Sequence, residues 1–454
     1  MAKPSTETKR SKRNRVFEQI HRNAAGIDAG ARQHFVAVPE GRDAQPVQRF
    51  GTTTRELYRL ADWLAKCRID TVAIEATGVY CGPLMTILEA RGVEVVLVKP
   101  SALKSVNDRR KTDMVDCQWL QTLHTFGLLR GSFRPSETVS ALRSCVRHRR
   151  TLIEDAATQV NRMQKALTQM NLRLDQAVTD ITGDTGMRII RSILAGERDP
   201  EVLALMRDRR CAKSQQEIAE ALRGHYHDEY LLVLEQAVRL WDLHRELIRE
   251  CDAKIERHLA TFTIKAEAEA LPAPRRREQV RKGVFTFDAR ALFHRVLGVD
   301  LTQIDGISTS TVATVVAEIG TDVSAWPTEK HFGSWLRLCP GSNISGGRRL
   351  SSHNRPTTNR AATALRLAAQ SLERSQSALG AFYRRLKARL GPQKAINATA
   401  YKLARMIYRS LKHGTIYVDR GVDYYNTRFR DRTVHALEKR ARTLGYVLVP
   451  ASST

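Results

Sequence analysis

The sequence has no run of eighteen apolar residues, so no segment of it reads as a membrane-spanning helix. The N-terminal stretch MAKPSTETKRSKRNR lacks the apolar centre of a secretory leader. Residues 1–22 read instead as a basic, disordered arm that touches phosphates. None of the seven cysteines (Cys67, Cys81, Cys117, Cys145, Cys211, Cys251 and Cys339) forms a Cys-x-x-Cys pair, and most sit in helical apolar patterns. That argues against a zinc site or a disulfide framework and fits a reducing cytoplasm. Acidic residues are scarce, with 48 Asp and Glu against 74 Lys and Arg, which leaves a formal charge of +26.

What is present is enough for two or three domains with real cores: 454 residues, 42% of them hydrophobic. A folded chain this basic is read most simply as one that sits on nucleic acid, in the cytoplasm and associated with the nucleoid.

Residues 23–137 alternate between strand and helix patterns. AAGIDAGARQHFVAVPE predicts a hairpin turning at Gly30–Arg32, and VQRF continues it. Leu57, Leu60, Ala61 and Leu64 recur at helical spacing over 54–66. DTVAIEATG is a short β-branched strand ending in Glu75, a helix follows at 82–91, and VEVVLVKP is a buried strand stopped by Pro100. The order β-β-β-α-β-α-β-α is that of an α/β RNase H-like (RuvC-like) fold.

Residues 138–262 change character. Leu142, Val146, Arg149, Ile153, Ala156, Val160, Met163, Leu167, Met170 and Leu174 alternate steps of four and three, and only Arg149 breaks the apolar seam. Leu234, Val238, Trp241, Ile248, Ile255, Leu259 and Phe262 keep the same spacing, with Arg245 and Asp252 interrupting. This predicts a helical coiled coil, paired within the chain or between subunits. Residues 263–297, with Pro and the run RRREQVRK, read as a linker. Residues 298–390 form a mainly α-helical second domain. It opens with a turn at Ile304–Gly306–Ile307 resembling a helix-hairpin-helix, and FGSWLRLCPGSNISGGRRLSSHNRPTTNRAATALRLAAQSL predicts a helix, a Gly- and Ser-rich loop, and a long helix. Residues 391–454 are a basic helical extension.

The acids gather at predicted strand and helix ends. Asp28 ends the first strand, Glu75 a later one, and Asp113 and Asp116 lie one turn apart at the start of a helix. In an RNase H-like sheet these ends are neighbours. Four carboxylates on one spot repel unless a cation compensates them, and an all-oxygen set favours Mg²⁺ or Mn²⁺. Taken alone, Asp28 reads more simply as a turn former and Asp113 as a helix cap.

GIDAGARQHFVAV, AIEATGVY, KTDMVDCQWLQTLH and LLRGSFRPSE resemble the DEDD, RuvC-like domain of the insertion-sequence-one-ten family of transposases. IDGISTSTVATVVAEIG and FGSWLRLCPGSNISGGRR resemble that family's second domain. The resemblance implies a DNA recombinase that excises and inserts its element, guided by a structured bridge RNA that pairs with donor and target DNA. It places the metal-binding acids on Asp28, Glu75, Asp113 and Asp116, and a nucleophilic serine that forms a covalent phosphoserine on Ser345. Ser342, Ser351 and Ser352 are close by in sequence. Lys111, Gly346, Gly347, Arg348 and Arg349 are the expected nucleic-acid contacts. The charge is spread over the arm, the 275–282 run, the Ser345 loop and the tail, a distribution that grips backbones and leaves sequence choice to a guide. The expected assembly is a dimer that becomes a tetramer on paired DNA, with the coiled coil bringing the acids of one subunit towards Ser345 of another. Two other readings fit parts of the sequence: a resolvase-like, metal-dependent nuclease that uses water, and a non-catalytic RNA-binding scaffold.

Overall fold

The computed structural model describes residues 18–75, 78–99, 112–274, 283–354 and 356–449. The arm as far as residue 17, Lys111 and the basic run 275–282 lie outside them. For Ser342, Arg349, Ser351 and Ser352 the backbone alone is described. The chain divides into two units, 1–134 and 135–454.

The first unit is a five-stranded mixed sheet with helices. Its strands are β1 (Ala24–Ala29), β2 (Gln33–Ala37), β3 (Val47–Gly51), β4 (Thr71–Glu75) and β5 (Glu94–Val98), in the order β3-β2-β1-β4-β5. β2 runs antiparallel to β1 and β3, while β4 is parallel to β1 and β5. This arrangement is compatible with an RNase H-like domain. The expected helix at 54–66 is α1 (Thr54–Lys66), which buries Leu57, Leu60, Ala61 and Leu64. With α2 (Cys81–Ala90) it covers one core built on Ile27, Val36, Val72 and Ile74. The helix α3 (Asp113–Thr125) packs against β1, β2 and β4 and buries Leu120 with Ala73 and Val98.

The second unit opens with two 33-residue helices, α4 (Glu137–Gln169) and α9 (Asp228–Ala260), lying antiparallel along each other. Most of the expected seam faces inward, including Leu142, Val146, Ala156, Met163 and Leu167. The helix stops at Gln169, so Met170 and Leu174 reach the same core from beyond its end. Four short helices between the long pair, α5 (Leu174–Ala177), α6 (Asp184–Leu194), α7 (Pro200–Ala204) and α8 (Gln215–Ala221), complete that core with Ile189, Ile193, Leu203 and Ile218.

The residues that interrupt the apolar pattern answer one another. Arg149 and Asp252 are both buried and form an ion pair. Arg149 also donates to the carbonyls of Gly283 (3.1 Å) and Val284 (3.2 Å) and lies 4.0 Å from the Phe285 ring centre. The backbone N–H of Thr286 donates to Asp252 (3.1 Å). The pair therefore fixes segment 283–286 across both helices, and its remaining donors are satisfied by backbone carbonyls as a buried charge requires.

Beyond the pair come α10 (Ala289–Leu297), α11 (Thr309–Ile319), α12 (Glu329–Trp335), α13 (Arg360–Ser371), α14 (Ala378–Leu390), α15 (Pro392–His413) and α16 (Gly421–Thr443). Residues 289–297, within the stretch that reads as a linker, are helical and bury Phe293, Val296 and Leu297. α15 starts at Pro392 and ends against Gly414 in the left-handed conformation, the usual asymmetry of helix termini. α4 grips α11 by its C-terminus. Arg143 donates to the carbonyls of Ala317 (2.9 Å) and Glu318 (2.7 Å), and Arg147 forks onto the Glu318 carboxylate (2.8 and 2.7 Å). Cations at a helix C-terminus offset its exposed carbonyls and its dipole.

One expected loop is a structured element. Residues 340–354 form a two-stranded hairpin, β6 (Pro340–Ser345) and β7 (Arg348–Asn354). Two consecutive glycines between strands make the tight turn that closes such a hairpin.

Candidate functional site

The acids are set in place by how closely α3 approaches β1. Gly26 lies beneath the helix, where an added Cβ would fall 2.2 Å from the Cys117 carbonyl oxygen and 2.3 Å from the Gln121 nitrogen. A side chain there would have to push the helix backbone away, so glycine is what lets α3 cross β1 this closely. Asp28 is two residues on and points to the same sheet face as Gly26. Asp113 and Asp116 belong to the helical turn that precedes Cys117. The crossing thus brings the first turn of α3 over Asp28, and β4, parallel to β1, adds Glu75 from its end. The other end of α3 is anchored by a 2.9 Å hydrogen bond between buried His124 and Thr71 and by stacking of His124 on His21 (4.8 Å).

Electrostatics registers the convergence. Asp28 is half-buried, and its carboxyl is pushed up to about 6, first by burial and then by the charges of Glu75, Asp113 and Asp116 in that order. Burial also pushes the Cys117 thiol up to about 12, with Asp28 the next cause. Asp113 and Asp116 gain from the positive end of the helix they begin, and Thr112 caps it by accepting from the Val115 N–H (3.4 Å). Among the described residues no three Asp, Glu, His or Cys side chains close into a ready-made metal cage. The donor set nevertheless suits a hard divalent cation: carboxylate oxygens alone, with Asp28 resisting ionisation because of its burial and then the charges of its neighbours.

In the second unit Ser345 and Arg348 are paired across the hairpin end, and the turn between them is Gly346–Gly347. Both glycines have positive φ (54° and 76°), which makes a two-residue turn of type I′. A Cβ on either glycine would meet nothing within 4 Å, and Ser345 and Arg348 are exposed. The register passes from Ile344↔Arg349 to Asn343↔Ser351, which leaves Leu350 as an exposed bulge. Arg337 ties the base of the hairpin by donating to the Pro356 carbonyl (2.6 Å). A serine hydroxyl, two arginine positions and a side-chain-free turn thus stand together at one protruding tip.

A model for transposases of the DEDD type matches residues 25–172, and a model described as transposase of the IS116/IS110/IS902 family matches residues 300–384. Together they take in just over half of the chain. The protein is an IS110-family transposase. It is therefore a DNA recombinase enzyme, acting on DNA. No protein with a curated description matches it. The first match contains all four acids, and the DEDD type implies dependence on a divalent metal; the second contains the hairpin with Ser345. No helix of the described residues is long and apolar enough to cross a membrane.

Sequence reasoning passed over Gly26. The signal was present in AAGIDAG, where three small residues open a strand and mark a face pressed by another element. His124 and His21 were missed as well, because stacked and hydrogen-bonded packing histidines leave no periodic trace.

Proposed function

We propose that this IS110-family transposase cleaves and rejoins DNA with Ser345 as nucleophile and with Asp28, Glu75, Asp113 and Asp116 as ligands for Mg²⁺ or Mn²⁺. The observation that carries the reading is the burial of Asp28 among three other carboxylates, within a chain whose two family matches include both the acids and the serine. In the reaction the Ser345 hydroxyl gives up its proton and its oxygen attacks a backbone phosphorus. The new oxygen–phosphorus bond forms as the bond to the departing sugar oxygen breaks, and that oxygen takes a proton. A later attack by another strand's hydroxyl reverses the step and frees the serine. When bound, the metal offsets phosphate charge and lowers the cost of the oxyanions. The chain's own share is to present the serine on an open tip, with Arg348 and Arg349 suited to phosphate oxygens and Gly346 and Gly347 admitting the backbone closely. Lys111, two residues before Asp113, is a further phosphate contact in this reading.

The guide in this reading is a structured bridge RNA from the element itself. Charge spread over many segments, rather than concentrated in one groove-reading helix, supports a protein that leaves sequence choice to base pairing. The assembly is a homo-oligomer, a dimer that doubles on paired DNA.

The test incubates protein, Mg²⁺, donor and target DNA with and without the flanking transcript, and looks for a protein–DNA adduct by denaturing gel and mass spectrometry. The expected result is a phosphoserine adduct at Ser345 and recombination only with the transcript. Cleavage without any adduct would establish the alternative, a nuclease that uses water. Equal recombination in both tubes would remove the guide.

A further inference from the structure

The C-terminal region beyond residue 384 is matched by neither family model, yet it supplies most of the lining of a concave site that Ala378 and Leu379 complete. α16 buries none of its residues and rests on α14 through Tyr425 against Phe382 (6.3 Å between ring centres, edge-on) and Arg385 over Phe429 (3.5 Å). Between α15, the start of α16 and the segment joining them is a cleft of about 270 Å³, whose lining includes Lys402, Arg420, Arg428, Arg432, Tyr424 and Tyr425.

Four cationic side chains and one carboxylate, Asp419, line this cleft, so its charge is net positive. α14 and α15 carry no carboxylate, the nearby Glu373 is taken by Lys387, and of the acids on α16 Asp423 and Asp431 form no ion pair among the described residues while Glu438 pairs with His435. Among the described residues Lys402, Arg420, Arg428 and Arg432 form no ion pair with a carboxylate. The lining also includes Asp419, which accepts from the backbone N–H groups of Ala378 (3.0 Å) and Gly421 (3.2 Å) and so fixes the loop. Arg420 and Arg428 both donate to the Tyr424 hydroxyl (2.7 and 3.1 Å), which holds two guanidinium groups side by side. Lys402 lies 4.0 Å from the Phe382 ring centre, and burial, with Arg432 and Arg405 nearby, disfavours its charged form. A cluster of like charges held this way gains most from an anion with several oxygens. Tyr424 is exposed beside it with Arg420 5.0 Å from its ring centre, and Tyr425 is half-buried with Arg385 5.4 Å from its ring centre, so both rings already sit among cations that a stacked base would join.

We propose that this cleft binds an unpaired nucleotide of a nucleic-acid strand, with the phosphate on the four cations and the base against Tyr424 and Tyr425. Tyrosine with arginine and lysine on a concave surface is how single strands are gripped without sequence preference. The site is distinct from the acids and from the hairpin serine, and its occupancy does not require either to react.

The test uses the full-length protein in EDTA, so that strand cleavage plays no part. Tetranucleotides carrying 4-thiothymidine or 4-thiouridine are photo-crosslinked and the modified peptide is identified by mass spectrometry. Crosslinks should map to the peptide containing Tyr424 and Tyr425. Arg420→Gln with Arg432→Gln should lower the slope of log affinity against log salt by about 1.4, since each phosphate contact on a single strand contributes about 0.7. Tyr424→Ala should weaken binding on the order of tenfold. Arg420→Gln alone, at an exposed side chain, keeps the test valid if the double variant misfolds, and should lower the slope by about 0.7. A stronger thymidine or uridine crosslink assigns the strand type, and equal yields assign the grip to phosphate and base alone; either outcome sustains the proposal. Crosslinks confined to other peptides, an unchanged salt slope, or equal competition by duplex DNA or a poly-glutamate peptide would overturn it.

Discussion

Asp28 is set by a sheet with a helix pressed onto it, whereas Ser345 stands at the end of a two-stranded hairpin with open space around its turn. The acids come from four separate stretches of chain, and their mutual distance depends on long-range packing at Gly26. The serine's position depends on its immediate neighbours, two glycines that alone accept the turn's φ without strain. The difference fits the division of labour proposed for them. A cluster of like charges must be held by a rigid frame, since its own repulsion would spread it, while a nucleophile that reaches a large, mobile substrate gains from standing clear of the body.

The largest effect should come from the acids. Asp28→Ala, Glu75→Ala, Asp113→Ala and Asp116→Ala should each reduce strand cleavage by more than the ~100-fold that outer partners of a metal site cost. Circular dichroism should remain unchanged. Ser345→Ala should abolish the adduct to the same degree while leaving DNA affinity within about twofold, because a hydroxyl contributes little to a charge-driven grip. Normal cleavage in Mg²⁺ by two of the acid variants would remove the metal-site reading.

The glycines sharpen the comparison at the level of stability. Gly26→Ala places a methyl group against helix backbone and should cost about 1–3 kcal/mol in urea unfolding, with activity falling as α3 is pushed from Asp28. Gly347→Ala meets no atom and strains only φ, so it should cost about 1 kcal/mol or less. Its effect should fall on activity, and Gly347→Asn should recover part of it, since asparagine adopts the left-handed region more readily. Equal stability losses at Gly26 and Gly347 would show that the hairpin is packed as tightly as the sheet.

The legibility of these features follows the same physical line. The five strands and α1 could be read because periodicity and strand ends are local, and so could the strand ends and helix start on which the four acids lie. The long helices were legible from their seam. The partnership of Arg149 with Asp252 was not: each was visible only as an interruption, and a heptad pattern gives the period of a helix without naming what faces it. The hairpin was hidden by composition, because NISGGRRLSS is polar on both strands and lacks the apolar alternation of a half-buried sheet. Gly26 was hidden because a glycine demanded by close packing looks, in sequence, like one demanded by a turn.

The smallest expected effect, and the most selective, is on pH. Asp28 ionises near 6 in the folded protein against an ordinary value of 3.8, so the folded state holds its proton more tightly than the unfolded chain. The stability this gives the metal-free protein is fully present below 3.8 and is lost as pH rises through about 6. His124 acts in the opposite sense. Burial, then the charge of His21, lowers it from 6.5 to about 4, so its contribution is present above 6.5 and is lost as pH falls towards 4. The two nearly overlap, and a plain pH–stability curve would blend them. Asp28→Asn separates them: in EDTA the variant should melt higher than the parent at pH 8, with the gap closing as pH falls towards 4. Adding Mg²⁺ at pH 8 should raise the parent's melting temperature and leave the variant nearly unmoved, because the cation relieves a repulsion that the amide has already removed. A parent that melts above the variant at pH 8 in EDTA would mean that neither burial nor the nearby carboxylates make a charged Asp28 costly to the metal-free fold.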